Sequence, residues 1–161
     1  KNEVMKKGIK WFESHYNNID LNYNRTPHYS LYKKYMEAIY MKKHEKLIDL
    51  NMELIKFLMN AFNIKKKLIY SSELNHKSNS TQRLIDIVES IGGDTYLSGA
   101  MGRNYLDLTL FERKGIEVKF QEFKPIVYQQ NYEDFLPNMS AIDALFNIGK
   151  MPMIDKNIQE F

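Results

Sequence analysis

Between Lys67 and Gln121 short apolar runs alternate with helix-length segments, and that alternation restricts the fold more than any other feature of the chain. Leu68-Ile69-Tyr70, Thr95-Tyr96-Leu97 and the alternating Ile116, Val118 and Phe120 read as three strands. Between the first two lies a helix over about residues 81–91, with Leu84, Ile85, Val88 and Ile91 inward and Gly92-Gly93 as its stop. A shorter helix starts from Asp107 as N-cap and ends at Gly115. The order strand–helix–strand–helix–strand implies two consecutive βαβ units, hence parallel strands joined by right-handed crossovers. The expected class is α/β, a Rossmann-like parallel sheet of βαβ units preceded by a mostly helical N-terminal half. With 161 residues the chain fits a single domain, 1–161. Within it, 1–64 reads as the helical part, 65–150 as the α/β part and 151–161 as a tail.

In the helical part, Phe12, His15, Tyr16, Ile19 and Tyr23 recur at three- and four-residue steps, an apolar-aromatic stripe. Thr26-Pro27 restarts the chain, with Thr26 as the expected N-cap and Pro27 at the first helical position. The next helix carries Leu31, Tyr32, Tyr35 and Ile39 on one side. A third, about residues 45–62, is apolar almost all round; only Asp49, Glu53, Lys56 and Asn60 form a polar strip, so it reads as a buried helix. After Phe120 comes an irregular segment over 124–139. A closing helix, about residues 141–148, is bounded by Ser140 and Gly149.

Open parallel sheets hold ligands beyond the carboxyl ends of their strands. That rule singles out two loops. In the first, Ser71–Ser80, Lys77 and Ser80, with Arg83 in the first turn of the helix that follows, could contact a phosphate or carboxylate, or Asn79 or Ser80 could simply cap that helix. In Ser98–Leu106, Gly99 and Gly102 permit close backbone approach, and Ser98 and Arg103 supply polar contacts. Neither loop carries G-x-G-x-x-G or a Walker A pattern. Asp143 fits the capping box Ser140-Ala141-Ile142-Asp143, a reading preferred over a catalytic carboxylate. Of the four histidines only His76 is placed for acid–base work, against the plainer reading of a solvated loop residue.

Composition removes several classes. The absence of cysteine excludes disulfides, thiolate metal sites and a cysteine nucleophile, and no pair of histidines has metal-ligand spacing. A net charge of +3, with Lys65-Lys66-Lys67 as the clearest basic run, gives no organised nucleic-acid face. No apolar run approaches a membrane-spanning length, and no signal-peptide pattern opens the sequence. Eleven tyrosines, more than the nine phenylalanines, either pack the core or line a polar cleft.

The run Thr95-Tyr-Leu-Ser-Gly-Ala-Met-Gly-Arg-Asn-Tyr-Leu-Asp107 is followed by Phe111, Gly115-Ile116, Phe120-Gln121 and Phe123. Further on come Pro125, Tyr128-Gln129, Phe135-Leu136-Pro137 and Ser140-Ala-Ile-Asp-Ala-Leu-Phe-Asn-Ile-Gly149. Together with Arg83-Leu84-Ile85, Trp11, Tyr23, Pro27 and Tyr29, these resemble the WbqC-like family over roughly residues 10–150. Two small departures are Ala100, where the family commonly has Pro, and Gln129-Gln130, where one Gln usually follows a Tyr-Pro pair. The family's N-terminal His-Gln-Pro-x-Tyr-x-Pro-like motif has no match here, which leads to the expectation of a C-terminal portion. The resemblance implies a bacterial transferase of O-antigen, lipopolysaccharide or other surface-polysaccharide biosynthesis. It would move an amino-acid or acyl group onto an amino sugar, with a noncatalytic ligand- or partner-binding module as the alternative. The implied substrate-binding set is Arg83, Ser98, Gly99, Gly102, Arg103 and Tyr105. The expected partner is a small molecule such as a nucleotide-linked amino sugar, not nucleic acid, in the cytoplasm and without a membrane span. No metal, cofactor or catalytic base is assigned.

Overall fold

A computed structural model describes residues 11–42, 44–74 and 76–149; the expected tail at 151–161 lies outside them. The described chain is mixed helix and sheet, with six α-helices and one two-stranded parallel sheet. It divides into two compact units, one from residues up to 66 together with those from 125 onward, the other from residues 67–124.

The first unit comprises α1 (Trp11–Tyr23), α2 (Tyr29–Met41), α3 (Leu47–Ala61) and α6 (Ala141–Ile148). Its core gathers Tyr16, Ile19, Tyr29, Met36, Tyr40, Leu145 and Phe146. Leu145 and Phe146 are wholly buried, and the Phe146 ring meets the edges of Tyr23 and Tyr29 at centroid distances of 5.3 and 5.0 Å. Such T-shaped pairs add to the value of the area they bury. The polar tip of Tyr29 is satisfied by donating to Asp20 Oδ1 at 2.8 Å, and Lys33 Nζ lies 2.7 Å from the same oxygen. Burial and the neighbouring Asp20 carboxylate raise the Tyr29 phenol pKa above its usual value.

Three helical expectations change here. Thr26 does not cap α2. Its hydroxyl donates to the Tyr23 carbonyl at 2.7 Å, closing the end of α1, and α2 begins after His28. The buried stripe of α2 is Tyr29, Met36 and Tyr40, while Leu31 and Tyr35 are 63% and 65% exposed. With every α2 face rich in apolar or aromatic residues, periodicity alone leaves the rotation of the helix unfixed. In α3 only Leu50 is buried and Ile55 is exposed, so this helix lies on the surface of its unit despite its apolar sequence. The closing helix falls where the sequence puts it, and Gly149 ends it with φ +77°.

The second unit comprises α4 (Ser80–Ser90), β1 (Thr95–Ser98), α5 (Leu108–Arg113) and β2 (Glu117–Phe120). The strands are parallel, with Thr95 opposite Glu117 and Ser98 opposite Phe120. Ile85, Val88, Leu106, Phe111 and Ile116 form its core. Asp107 caps α5 as expected, Oδ1 accepting from the Thr109 amide at 3.1 Å, and Gly92 and Gly115 end their helices with positive φ. One βαβ unit, β1–α5–β2, is therefore present among the described residues, not two. Residues 64–70 have no regular structure, and Leu68 and Ile69 are each 40% exposed. A three-residue apolar run becomes a strand only when a ladder and a buried face receive it, and neither does so here.

Because α6 inserts two fully buried side chains among the N-terminal helices, Phe146→Ala is expected to lower stability by about 3–5 kcal/mol. Urea denaturation of the chain followed by circular dichroism measures this; a loss below about 1 kcal/mol would remove Phe146 from its central place in the core.

Candidate functional site

The residues expected to bind a ligand lie chiefly at the carboxyl ends of β1 and β2. Ser98 ends β1 and is 2% exposed, its hydroxyl donating to the Gly99 carbonyl at 3.1 Å. The ladder runs on by one bond, from the Gln121 amide to the Ser98 carbonyl at 2.8 Å, which fixes the two strand ends side by side. Beyond Ser98 the chain turns through a 3₁₀ segment, Ala100–Asn104.

Gly102 is buried inside this turn. A Cβ there would overlap Ser98 Oγ and stand 3.1 Å from Leu106 Cδ1, so the close approach that this glycine permits is to its own neighbours. Gly99 differs, being exposed, with open space where its side chain would be. Arg103 reaches across to β2. Its guanidinium carbon lies 4.2 Å from the Phe120 ring centroid, and Nη2 is 3.6 Å from Glu122 Oε1. Both charged groups are largely exposed, so the ion pair is worth little and the aromatic contact about 0.5–1 kcal/mol. Tyr105 closes the turn with its side chain exposed. Ser98, Gly99, Gly102, Arg103 and Tyr105 thus belong to one loop, in which the exposed members are Gly99, Arg103 and Tyr105.

Arg83 stands apart from that loop in the chain. It lies on the first turn of α4, exposed, its guanidinium unpaired among the described residues. Neither Asn79 nor Ser80 caps α4 with its side chain, and Ser80 takes a left-handed backbone, φ +53°. A non-glycine residue held there is strained by roughly 1–3 kcal/mol. Nearby, Ser78 Oγ and Gln82 Nε2 both donate to the Asp86 carboxylate and hold its pKa below the usual value. The start of α4 is tied to that of α5, the Asp107 amide donating to Thr81 Oγ1 at 3.1 Å. His76 is half-buried, and its Nε2 has no hydrogen-bond partner among the described residues.

Asp143 overturns the capping-box reading. Ser140 makes no side-chain cap, and the carboxylate turns away to accept from Tyr128 at 2.7 Å, Gln130 at 3.0 Å and Asn147 at 3.3 Å. At 5% exposure it is a buried acidic side chain whose oxygens meet neutral donors and no cation among the described residues. Burial first, then the Asp143 carboxylate, pushes the Tyr128 phenol up to about 12, and the same two causes raise Tyr23. Sequence reasoning missed this group. The available signal was the unbroken polar-aromatic run Tyr128-Gln129-Gln130-Asn131-Tyr132 within an otherwise irregular stretch. Among the described residues no cluster of histidine and carboxylate could hold a metal. None of the described helices is long and apolar enough to cross a membrane.

Two outcomes follow from this geometry. Gly102→Ala should destabilise by about 1–3 kcal/mol, read as a lower melting temperature, because the added methyl must displace Ser98 or Leu106. For Tyr128, a folded-state pKa above the unfolded value near 10 means stabilisation that is complete below pH 10 and lost as pH rises toward 12. Tyr128→Phe should therefore flatten the fall of stability over pH 10–12; an unchanged slope would contradict the buried phenol–carboxylate bond.

A sequence model described as the WbqC-like protein family matches residues 2–154. The chain is also similar to a curated relative, uncharacterized protein Rv1507c of Mycobacterium tuberculosis, with 26% identity over 149 residues. That alignment covers 91% of this chain and 64% of the relative, so the chain spans under two thirds of the relative's length. No solved structure matches.

Proposed function

The chain belongs to the WbqC-like protein family, and from that premise we propose that it takes part in transferring an amino-acid or acyl group onto an amino sugar in bacterial O-antigen or other surface-polysaccharide synthesis. In such a transfer the sugar amine attacks the acyl carbon, an amide bond forms, the bond to the donor's leaving group breaks, and the amine gives up a proton. The observation that carries the assignment of the binding loop is the placement of Arg103. A guanidinium laid over Phe120 at the ends of both strands, beside the open backbone of Gly99, suits the phosphates of a nucleotide-linked sugar. Tyr105 offers an exposed ring for a base or sugar, Ser98 and Gly102 shape the turn, and Arg83 supplies a second cation. A cytoplasmic location goes with this reading. So does a larger Rossmann-like sheet in which β1–α5–β2 is one unit.

A second reading, a noncatalytic ligand-binding module, is favoured by one observation. Ser98 Oγ is buried against its own loop, and the exposed members Gly99, Arg103 and Tyr105 provide no general base for the amine proton. Incubating the protein with nucleotide-linked amino sugars and a panel of acyl and aminoacyl donors, with products read by mass spectrometry, separates the two. An acylated sugar supports the transferase; its absence across the panel, with nucleotide-sugar binding retained, supports the module. In either case Arg103→Ala should weaken nucleotide-sugar binding by about ten- to a hundredfold, the worth of a charged hydrogen bond. Its melting temperature should stay close to that of the parent. Unchanged affinity would take the loop out of the site.

A further inference from the structure

Residues of the 128–135 stretch line an open depression of about 250 Å³ in the helical unit, away in sequence from the loop just described. Its lining includes Tyr128, Gln130, Asn131, Tyr132, Glu133 and Phe135. An irregular surface loop would ordinarily be loose, yet this one is pinned at Tyr128, Gln130, Asn131 and Tyr132. Gln130 uses its whole amide: Nε2 donates both to the Leu136 carbonyl at 2.9 Å and to Asp143, while Oε1 accepts from the Leu136 amide at 2.7 Å. Asn131 donates to the Asn22 carbonyl at 2.8 Å, and the Tyr132 hydroxyl to Asn22 Oδ1 at 3.1 Å. Tyr128, fixed by Asp143, packs edge-on against Phe135 with centroids 5.6 Å apart.

The outcome is a preformed concavity whose chemistry is selective. Tyr132 is tethered by its hydroxyl while its side chain is 65% exposed, so the ring is held still and left uncovered. An uncovered, tethered ring of this kind offers a face on which an apolar or aromatic surface can stack. Around it stand amides and the carboxylate of Glu133, which pairs with no cation among the described residues, and neither Lys nor Arg lines the depression. An anion is therefore disfavoured. The volume falls below the roughly 300–1,000 Å³ of sites for drug-sized ligands. What fits is one small ring carrying hydroxyls, with an apolar face for the aromatic side chains and no negative charge.

We infer that the Tyr128–Phe135 loop is a monosaccharide-binding subsite, in which Tyr132 stacks on the sugar ring and Glu133 favours a sugar bearing an ammonium group. Preorganisation by the Gln130, Asn131 and Asp143 bonds means that little loop entropy is lost on binding. The subsite stands on this loop alone and does not require acyl transfer. A failed transfer assay leaves it intact, and successful transfer without sugar binding at this loop refutes only the subsite.

Saturation-transfer NMR on the whole chain tests it with glucose, glucosamine and glucose 6-phosphate as free probes. Transfer is expected to glucose and more strongly to glucosamine, with glucose 6-phosphate weakest. Tyr132→Ala should weaken both probes that lack a phosphate, glucose and glucosamine, by about three- to tenfold, as loss of an aromatic contact does. Tyr132→Phe, which keeps the ring and drops the tether, should retain most of the binding. Glu133→Gln should remove the preference for glucosamine while leaving glucose unchanged. Absence of transfer at high millimolar sugar, tighter binding of glucose 6-phosphate than of glucose, or equal losses in the Ala and Phe variants would each overturn the assignment.

Discussion

Two strands of four residues cannot hold each other in water, so the parallel pair at the candidate site depends on the burial of Phe111. That ring is 1% exposed and stacks on Tyr96 of β1 at 5.3 Å. Its backbone carbonyl accepts from the amides of Lys114 and Ile116, turning the chain from α5 back into β2. One residue thus joins crossover helix, first strand and the approach to the second. The position of Ser98 beside Phe120, and with it the reach of Arg103 over the Phe120 ring, follows from that anchorage.

What the sequence made legible were features fixed within a few residues. Asp107 caps because its side chain bonds an amide two positions away, and Gly92, Gly115 and Gly149 stop helices because their backbones enter the left-handed region. The strands Thr95–Ser98 and Glu117–Phe120 were readable from short apolar and alternating patterns flanked by such stops. Apart from Thr26, which bonds back to the Tyr23 carbonyl, what was missed depends on distant partners. Leu68-Ile69-Tyr70 has strand-like residues but no ladder. The rotation of α2 is chosen by Phe146, more than a hundred residues later, which takes Tyr29 and leaves Leu31 outside. Asp143 satisfies a local capping pattern, yet two donors fifteen and thirteen residues upstream claim its carboxylate first.

The candidate loop was legible in the same partial way. Its place beyond a strand end could be read, as could the small residues that shape it. The reason for Gly102 could not, because only the fold shows Ser98 and Leu106 filling the space beside it. The tyrosine excess likewise resolves residue by residue. Tyr29 and Tyr40 are core residues with bonded hydroxyls, to Asp20 and His15, whereas Tyr105 and Tyr132 leave their rings to solvent. Composition sets the number of such side chains; tertiary contacts decide which of them are spent on packing.

The helical unit is interrupted in sequence by the whole α/β unit, and its core is closed by Leu145 and Phe146 near the far end of the described chain. During synthesis α1, α2 and α3 emerge early but cannot complete their core until α6 has left the ribosome. The 67–124 unit, by contrast, holds all of its own core residues in one continuous stretch. Its loop closures are short, while the helical core must close across the whole of that stretch. The order of maturation is thus the reverse of the order of translation: the small sheet can set first, while the helices made before it wait, apolar faces open, for α6 to arrive.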